Sequence, residues 1–476
     1  MLFNSVAFII FFISVTCLYF AIPHKFRWVL LLGSSCYFYM IFQPIYILIL
    51  GFTIIIDYFA GIYIENAKGA RRKRFLVISL IANIGVLIVF KYFNFLNDNV
   101  TSLLNNIDKV NPIPYLSILL PIGLSFHTFQ AMSYTIEVFR GNQKAERSFG
   151  IYSLYVMFYP QLVAGPIERP QNMLHQFKEK HTFEYDNAVQ GLKLMLWGFF
   201  KKIVIADRLA IYVNAVYGHP DDHGGMTFIV ATIFFAFQIY CDFSGYSDIA
   251  IGAARVMGFK LMTNFNHPYF SESISEFWKR WHISLSTWFK DYVYIPLGGN
   301  QVKSSRIYFN LLIVFLLSGL WHGANWTYII WGGLNGSFLV FAIVTKKPII
   351  RIEQYFGLNK LQIVIKIINI VFTFILICFT WIFFRANNLE DAITIIHKIL
   401  AFDGQFYKED IPLLIYSIFG ILFLILVESK REFLPHSFSF MSNDSWIVRH
   451  FTYSFLIVMI LLFGVFDSGQ FIYFQF

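Results

Sequence analysis

Long apolar runs succeed one another along almost the whole chain, near residues 6–22, 28–42, 44–64, 75–92, 115–139, 148–166, 189–206, 227–254, 308–320, 326–344, 362–384, 411–427 and 451–466. Most come close to the roughly 20 apolar residues that a helix needs to cross hydrocarbon, where only helices or closed barrels satisfy the backbone. Several runs are short or interrupted by Pro and Gly. The pattern predicts an all-α polytopic membrane protein with roughly ten to twelve crossings, some of them broken or re-entrant. No stretch reads as an extramembrane module, so 1–476 is expected to form a single integral-membrane domain. The first run lacks a preceding positive charge and a small-residue cleavage site after it, and is read as a retained helix rather than a signal peptide.

Two stretches depart from simple spans. Between 272 and 292, Ile274, Phe277, Trp278, Trp281, Leu285, Trp288, Phe289 and Tyr292 recur at spacings of three and four, which predicts one amphipathic helix. Its other face carries Glu272, Glu276, Lys279, Arg280, Lys290 and Asp291, so the helix is expected to lie at the bilayer interface or dip into it. His282 falls on or beside the apolar face, where a polar ring is costly without a partner. The second stretch, 308–344, is apolar almost throughout and too long for one crossing; Ser318-Gly319 and Gly323-Ala324 are the expected breaks. A helix that starts just after Arg306 would carry His322 roughly 24 Å along its axis, well inside the membrane. Ionisable groups at that depth are functional candidates; the alternative is a core histidine bonded to a neighbouring carbonyl.

Composition agrees with the pattern. Of 476 residues, 57% are hydrophobic and 14% charged, where a soluble domain would carry about a quarter charged. The net charge of +9 reads as cytoplasmic loops rather than nucleic-acid binding. His24-Lys-Phe-Arg27 and Lys68-Gly-Ala-Arg-Arg-Lys-Arg74 are the clearest positive loops, and Arg140, Lys144 and Arg147 return the chain to the same side. Lys430, Arg431 and Arg449 bracket another cytoplasmic segment, which leaves the aromatic tail 466–476 outside. Cys17, Cys36, Cys241 and Cys378 all lie in apolar runs without short pairing intervals, so neither a disulfide framework nor a metal site is expected.

Polar clusters interrupt the remaining helices: Pro121-Ile-Gly-Leu-Ser-Phe-His127, Tyr159 to Glu168, Gln238 to Asp248 and Trp381-Ile-Phe-Phe-Arg385. Asp242 and Asp248 read equally as helix bridges through buried hydrogen bonds or as lining groups. Lys201, Lys202 and Arg208 flank an apolar helix and read as snorkelling anchors, with phosphate binding as the sharper alternative. No Walker loop, GxGxxG turn, HExxH or GxSxG elbow is present.

Taken in order, Pro121-Ile-Gly-Leu-Ser-Phe, Leu162-Val-Ala-Gly-Pro, Asp242-Phe-Ser-Gly-Tyr-Ser-Asp, Phe277-Trp-Lys-Arg-Trp-His-Ile-Ser-Leu-Ser and Leu320-Trp-His-Gly-Ala-Asn span nearly the whole chain. In this order they resemble the membrane-bound O-acyltransferase (MBOAT) family, in its bacterial alginate and peptidoglycan O-acetyltransferase branch. The resemblance implies a helical bundle around a central tunnel, an essential histidine at His322 and a second functional histidine at His282. It also implies that the C-terminal aromatic motif, Phe471-Ile-Tyr-Phe-Gln-Phe476, acts with an extracytoplasmic partner of the serine-hydrolase type.

The residues suit that chemistry. An acyl thioester must reach a hydroxyl that is un-ionised at neutral pH, so a positioned base is needed, and desolvation keeps a buried imidazole neutral and able to accept a proton. Asn325, three residues after His322, is expected on the same helical face, where it would orient or donate to the acyl oxygen. Lys279, Arg280 and Lys290 are the candidate donor-binding residues. Tyr473 carries the only hydroxyl of Phe471-Ile-Tyr-Phe-Gln-Phe476 and is the candidate acetyl relay, with an interfacial aromatic anchor as the alternative. The expectation is an O-acetyltransferase of the bacterial inner membrane, in contact with membrane lipid. It would pass acetyl from a cytoplasmic thioester, acetyl-CoA by resemblance, toward an exported polysaccharide, with neither metal nor further cofactor. A transporter or channel is the rival, because broken helices and intramembrane charges also mark substrate pathways, but the two halves carry no corresponding motif pair.

Overall fold

The computed structural model describes residues 1–117, 121, 123–163, 165–355, 361–402, 404–408, 411–434, 441, 443 and 445–466. Every regular element among them is helical. Among the described residues, eight helices are long and apolar enough to cross a membrane: Tyr46–Asn66, Ala70–Asn105, Gly225–Val256, Ser304–His322, Trp326–Arg351, Gln362–Arg385, Ile411–Phe433 and Trp446–Phe463. The other apolar runs form shorter or interrupted helices, among them Val6–Ala21, His24–Met40, Leu124–Arg140, and Phe149–Met157 followed by Tyr159–Leu162. The last of these breaks falls just before Pro160, where a missing backbone donor and a fixed φ end the preceding helix.

The chain divides into two compact units, residues 1–195 with 246–262, and residues 196–245 with 263–476. In the first, Asp57 is fully buried and pins two membrane helices: Ser79 Oγ donates to its carboxylate at 2.6 Å and Asn83 Nδ2 reaches both oxygens at 3.0 and 2.9 Å. Ser79 Oγ also lies 3.0 Å from Thr135 Oγ1, which adds the helix Leu124–Arg140. That helix starts at Gly123, whose φ of 73° and approach to Leu162 O, 2.8 Å from where a Cβ would sit, exclude other residues. The polar segments 121–127 and 159–168 are therefore packed on each other.

In the second unit the paired lysines are not snorkelling anchors. Lys202 is 1% exposed and its ammonium is shared between Asp207 at 2.8 Å and Asp242 at 2.6 Å, while Lys201 Nζ donates to Ser244 Oγ at 2.8 Å. A charge this deep persists only when paired, so the ion cluster takes the place of water. Asp242 thus bridges helices, as the structural reading of that motif expected. Arg208 binds Phe463 O through Nε and Nη2, at 3.2 and 2.6 Å.

The helices Ser304–His322 and Trp326–Tyr355 form a tight hairpin. A Cβ on Gly319 would lie 2.2 Å from Tyr328 O, and one on Gly332 would lie 2.2 Å from Phe315 O. Backbone approach of this kind is how helices associate in lipid, where no hydrophobic force drives them together.

Candidate functional site

The stretch 272–292 is not one helix. It forms Ile274–Arg280 and Ile283–Phe289, and the break falls at Trp281 and His282. The first helix is capped by Ser273 Oγ, which accepts from Glu276 N at 3.2 Å, and it closes with Trp281 N on Phe277 O at 2.8 Å. His282 then adopts φ 42°, ψ 56°, a left-handed conformation that costs a side-chain-bearing residue roughly 1–2 kcal/mol. The segment before the helix supplies the compensation. Asn266 N donates to Arg280 O at 2.9 Å and Ile283 N donates to Asn264 O at 2.8 Å, so two chain segments pair across the break. The apolar periodicity survives because Ile274 and Phe277 of the first helix and Leu285, Trp288 and Phe289 of the second are all buried, which is why the sequence reads as continuous.

The break carries His282 into the interior, where it is 1% exposed. Its ring meets Phe243 edge to face at 4.5 Å and lies 6.2 Å from Trp321. Nδ1 lies 3.2 Å from Asn264 Oδ1 and 3.3 Å from Ser284 Oγ. Burial drives its pKa from 6.5 down to about 3, opposed by a hydrogen bond to its own backbone, so the ring is neutral across the physiological range.

His322 reaches the same aromatic wall from the hairpin. It is the last residue of Ser304–His322 and is 4% exposed, its ring packed edge-on against Trp321 at 4.9 Å, Trp331 at 5.0 Å and Phe384 at 5.2 Å. Of the two expected breaks, the second is used. Gly323 ends the helix in an extended conformation, and a Cβ there would lie 2.1 Å from Tyr328 Cε2. Trp321 is therefore in ring contact with both histidines. Behind it Trp331 stacks on Trp381 at 6.0 Å, and Trp281 packs on Trp381 at 5.2 Å.

The break corrects the expectation for Asn325. It does not share a helical face with His322, because no helix connects them: the next one begins at Trp326. Asn325 Oδ1 accepts from Thr327 N at 3.0 Å and its Nδ2 donates to Asn387 O at 3.2 Å, so the amide holds the turn and ties it to the end of Gln362–Arg385. Of the candidate donor-binding cations, Arg280 is engaged by Glu276 at 2.6 Å and Glu432 at 2.8 Å, and the Glu432 carboxylate also meets His267 Nδ1 at 3.3 Å. Lys279 and Lys290 are exposed, with Lys290 Nζ 3.8 Å from Asp291. Tyr473 and the tail 467–476 lie outside the described residues. Sequence reasoning passed over Asn264, fully buried in a polar segment that reads as an ordinary loop.

The sequence profile of MBOAT, the membrane-bound O-acyltransferase family, matches residues 73–386, a range that holds both histidines. The chain is 39% identical over 396 residues to a probable alginate O-acetylase of Pseudomonas aeruginosa, covering 82% of this chain and 73% of the relative. It is 34% identical over 442 residues to a peptidoglycan O-acetyltransferase of Helicobacter pylori, covering 85% and 80%. A teichoic acid D-alanyltransferase of Streptococcus thermophilus is 32% identical over 257 residues, covering 50% and 61%.

Proposed function

The chain belongs to the membrane-bound O-acyltransferase family, and from that premise we propose that this multi-pass acyltransferase takes acetyl from cytoplasmic acetyl-CoA for the O-acetylation of an exported cell-surface polysaccharide. The observation that carries the reading is the convergence of His282 and His322 on Trp321, inside an apolar wall. In such surroundings a neutral imidazole accepts a proton without competition from water. The acceptor oxygen attacks the thioester carbonyl, His322 takes the hydroxyl proton and the His282 ring shares it, the C–S bond breaks, and the departing thiolate recovers the proton. All the parts of that exchange come from donor, acceptor and imidazole, so no further cofactor enters.

An acetyl group taken from a cytoplasmic donor needs a carrier to reach a glycan beyond the membrane. We assign that role to the Tyr473 phenol: its oxygen takes the acetyl as the thioester C–S bond breaks. A serine of an extracytoplasmic serine-hydrolase-type partner then attacks the phenyl ester and returns the proton to the phenol. Lys279 and Lys290, both exposed, remain the proposed donor-side cations; Arg280 is held by its two carboxylates. The substrates of the alginate and peptidoglycan relatives support a bacterial inner-membrane setting with a cell-surface polysaccharide as acceptor.

Purified protein incubated with labelled acetyl-CoA tests the reading. Release of free CoA with label on the C-terminal peptide is expected, and that adduct should vanish in Tyr473→Phe. Transfer of intact donor across vesicles without bond cleavage would instead establish a transporter.

A further inference from the structure

Asn264 is fully buried and its side-chain oxygen is the meeting point of three groups beside the break at His282. Ser284 N lies 3.2 Å from Oδ1, Ser284 Oγ lies 2.9 Å from it, and His282 Nδ1 lies 3.2 Å from it. A backbone N–H can only donate, so the Asn264 atom facing Ser284 N is the oxygen and not the amide nitrogen. An oxygen in that place repels a bare ring nitrogen and attracts a protonated one. From this contact we infer that Asn264 is a positioning residue that holds the His282 ring as its Nδ1–H tautomer, making Nε2 the nitrogen that accepts a proton in acyl transfer. The inference rests on the assignment of His282 to the transfer site.

The local fold gives the contact its rigidity. Asn264 O accepts from Ile283 N at 2.8 Å, so the main chain of the same residue is fixed to the residue after the histidine while its side chain is fixed to the histidine ring. The Ser284 hydroxyl donates to Oδ1 and, at 3.3 Å from Nδ1, can accept a share of the ring proton. A left-handed histidine clamped by both the main chain and the side chain of one asparagine has its ring plane and its tautomer set together. Ring nitrogens in working histidines are generally assigned in this way, by the bond the other nitrogen makes.

Turnover and donor KM with labelled acetyl-CoA are to be measured for the full-length parent, Asn264→Ala, Asn264→Asp, His282→Ala and the double variant Asn264→Ala/His282→Ala. Asn264→Ala should lose on the order of 100-fold in kcat at unchanged KM, because it removes the tautomer bias from a proton-transfer group. Asn264→Asp keeps the acceptor and should recover most of that loss. The double variant should be no slower than His282→Ala, since groups that act as a unit are not additive. A double variant slower by the full Asn264→Ala factor, or parental kcat in Asn264→Ala, would overturn the positioning role and leave the transfer reading intact. Parental kcat in His282→Ala would instead remove the assignment of His282 itself. Nitrogen NMR of the histidine-labelled parent, differenced against His282→Gln, needs no Asn264 variant: a protonated Nδ1 is expected, and a protonated Nε2 contradicts the inference.

Discussion

His282 and His322 both stand where a helix is interrupted, and the two interruptions are built in opposite ways. At His282 the chain is strained and braced by polar groups: a left-handed residue, two backbone hydrogen bonds to 264–266, and the Asn264 and Ser284 side chains on the ring. At His322 the helix ends in ordinary geometry at a glycine, and the described ring contacts are the edge-on faces of Trp321, Trp331 and Phe384. Hydrogen bonds from a single asparagine and serine reach the His282 ring, while three aromatic rings pack around the His322 ring at the end of a close-packed hairpin. Orientation by hydrogen bonds fails when a single partner is lost. Packing of rings around an imidazole is disturbed when the helices behind them move.

The largest effect expected from breaking this contrast is therefore at the hairpin rather than at a ring. Gly319→Val places atoms within 2.2 Å of Tyr328 O, a backbone oxygen that cannot swing aside. Folded protein recovered in detergent should fall to a small fraction of the parent, with acetyl transfer falling in proportion. His282→Ala should come next, at about 100-fold in kcat and with little change in the amount folded, because the residue is proposed to share the transferred proton and relieves its own backbone strain on truncation only in part. The smallest effect is on stability against pH. The unfolded chain protonates His282 below about 6.5 while the folded chain does so only near 3, so its share of stability is complete above pH 6.5 and is lost as the pH falls through that window. The thermal midpoint should drop between about pH 7 and about pH 5, and drop less steeply in His282→Ala.

How much of this was legible in the sequence follows from which interactions are local. His322 was visible because an imidazole in a long apolar run has few structural excuses, and Gly323 marked its break. The break at His282 was not visible, because Trp278, Trp281, Leu285 and Trp288 keep their spacing straight through it; the cause is pairing with 264–266, which no periodicity reports. Lys202 was misread for a similar reason. Its burial depends on Asp242, far along the chain, and a lysine seen beside an apolar run alone looks like an anchor. Asn325 was placed by helical spacing, but Gly323 ends the helix before it.

The central claim is that His322 is the base of acyl transfer and not a packing residue. The most direct measurement is single-turnover cleavage of labelled acetyl-CoA by purified parent and His322→Ala at matched amounts of folded protein. Loss of cleavage in the variant, with an unchanged thermal midpoint, is the predicted result. Cleavage at the parental rate in His322→Ala would contradict the claim.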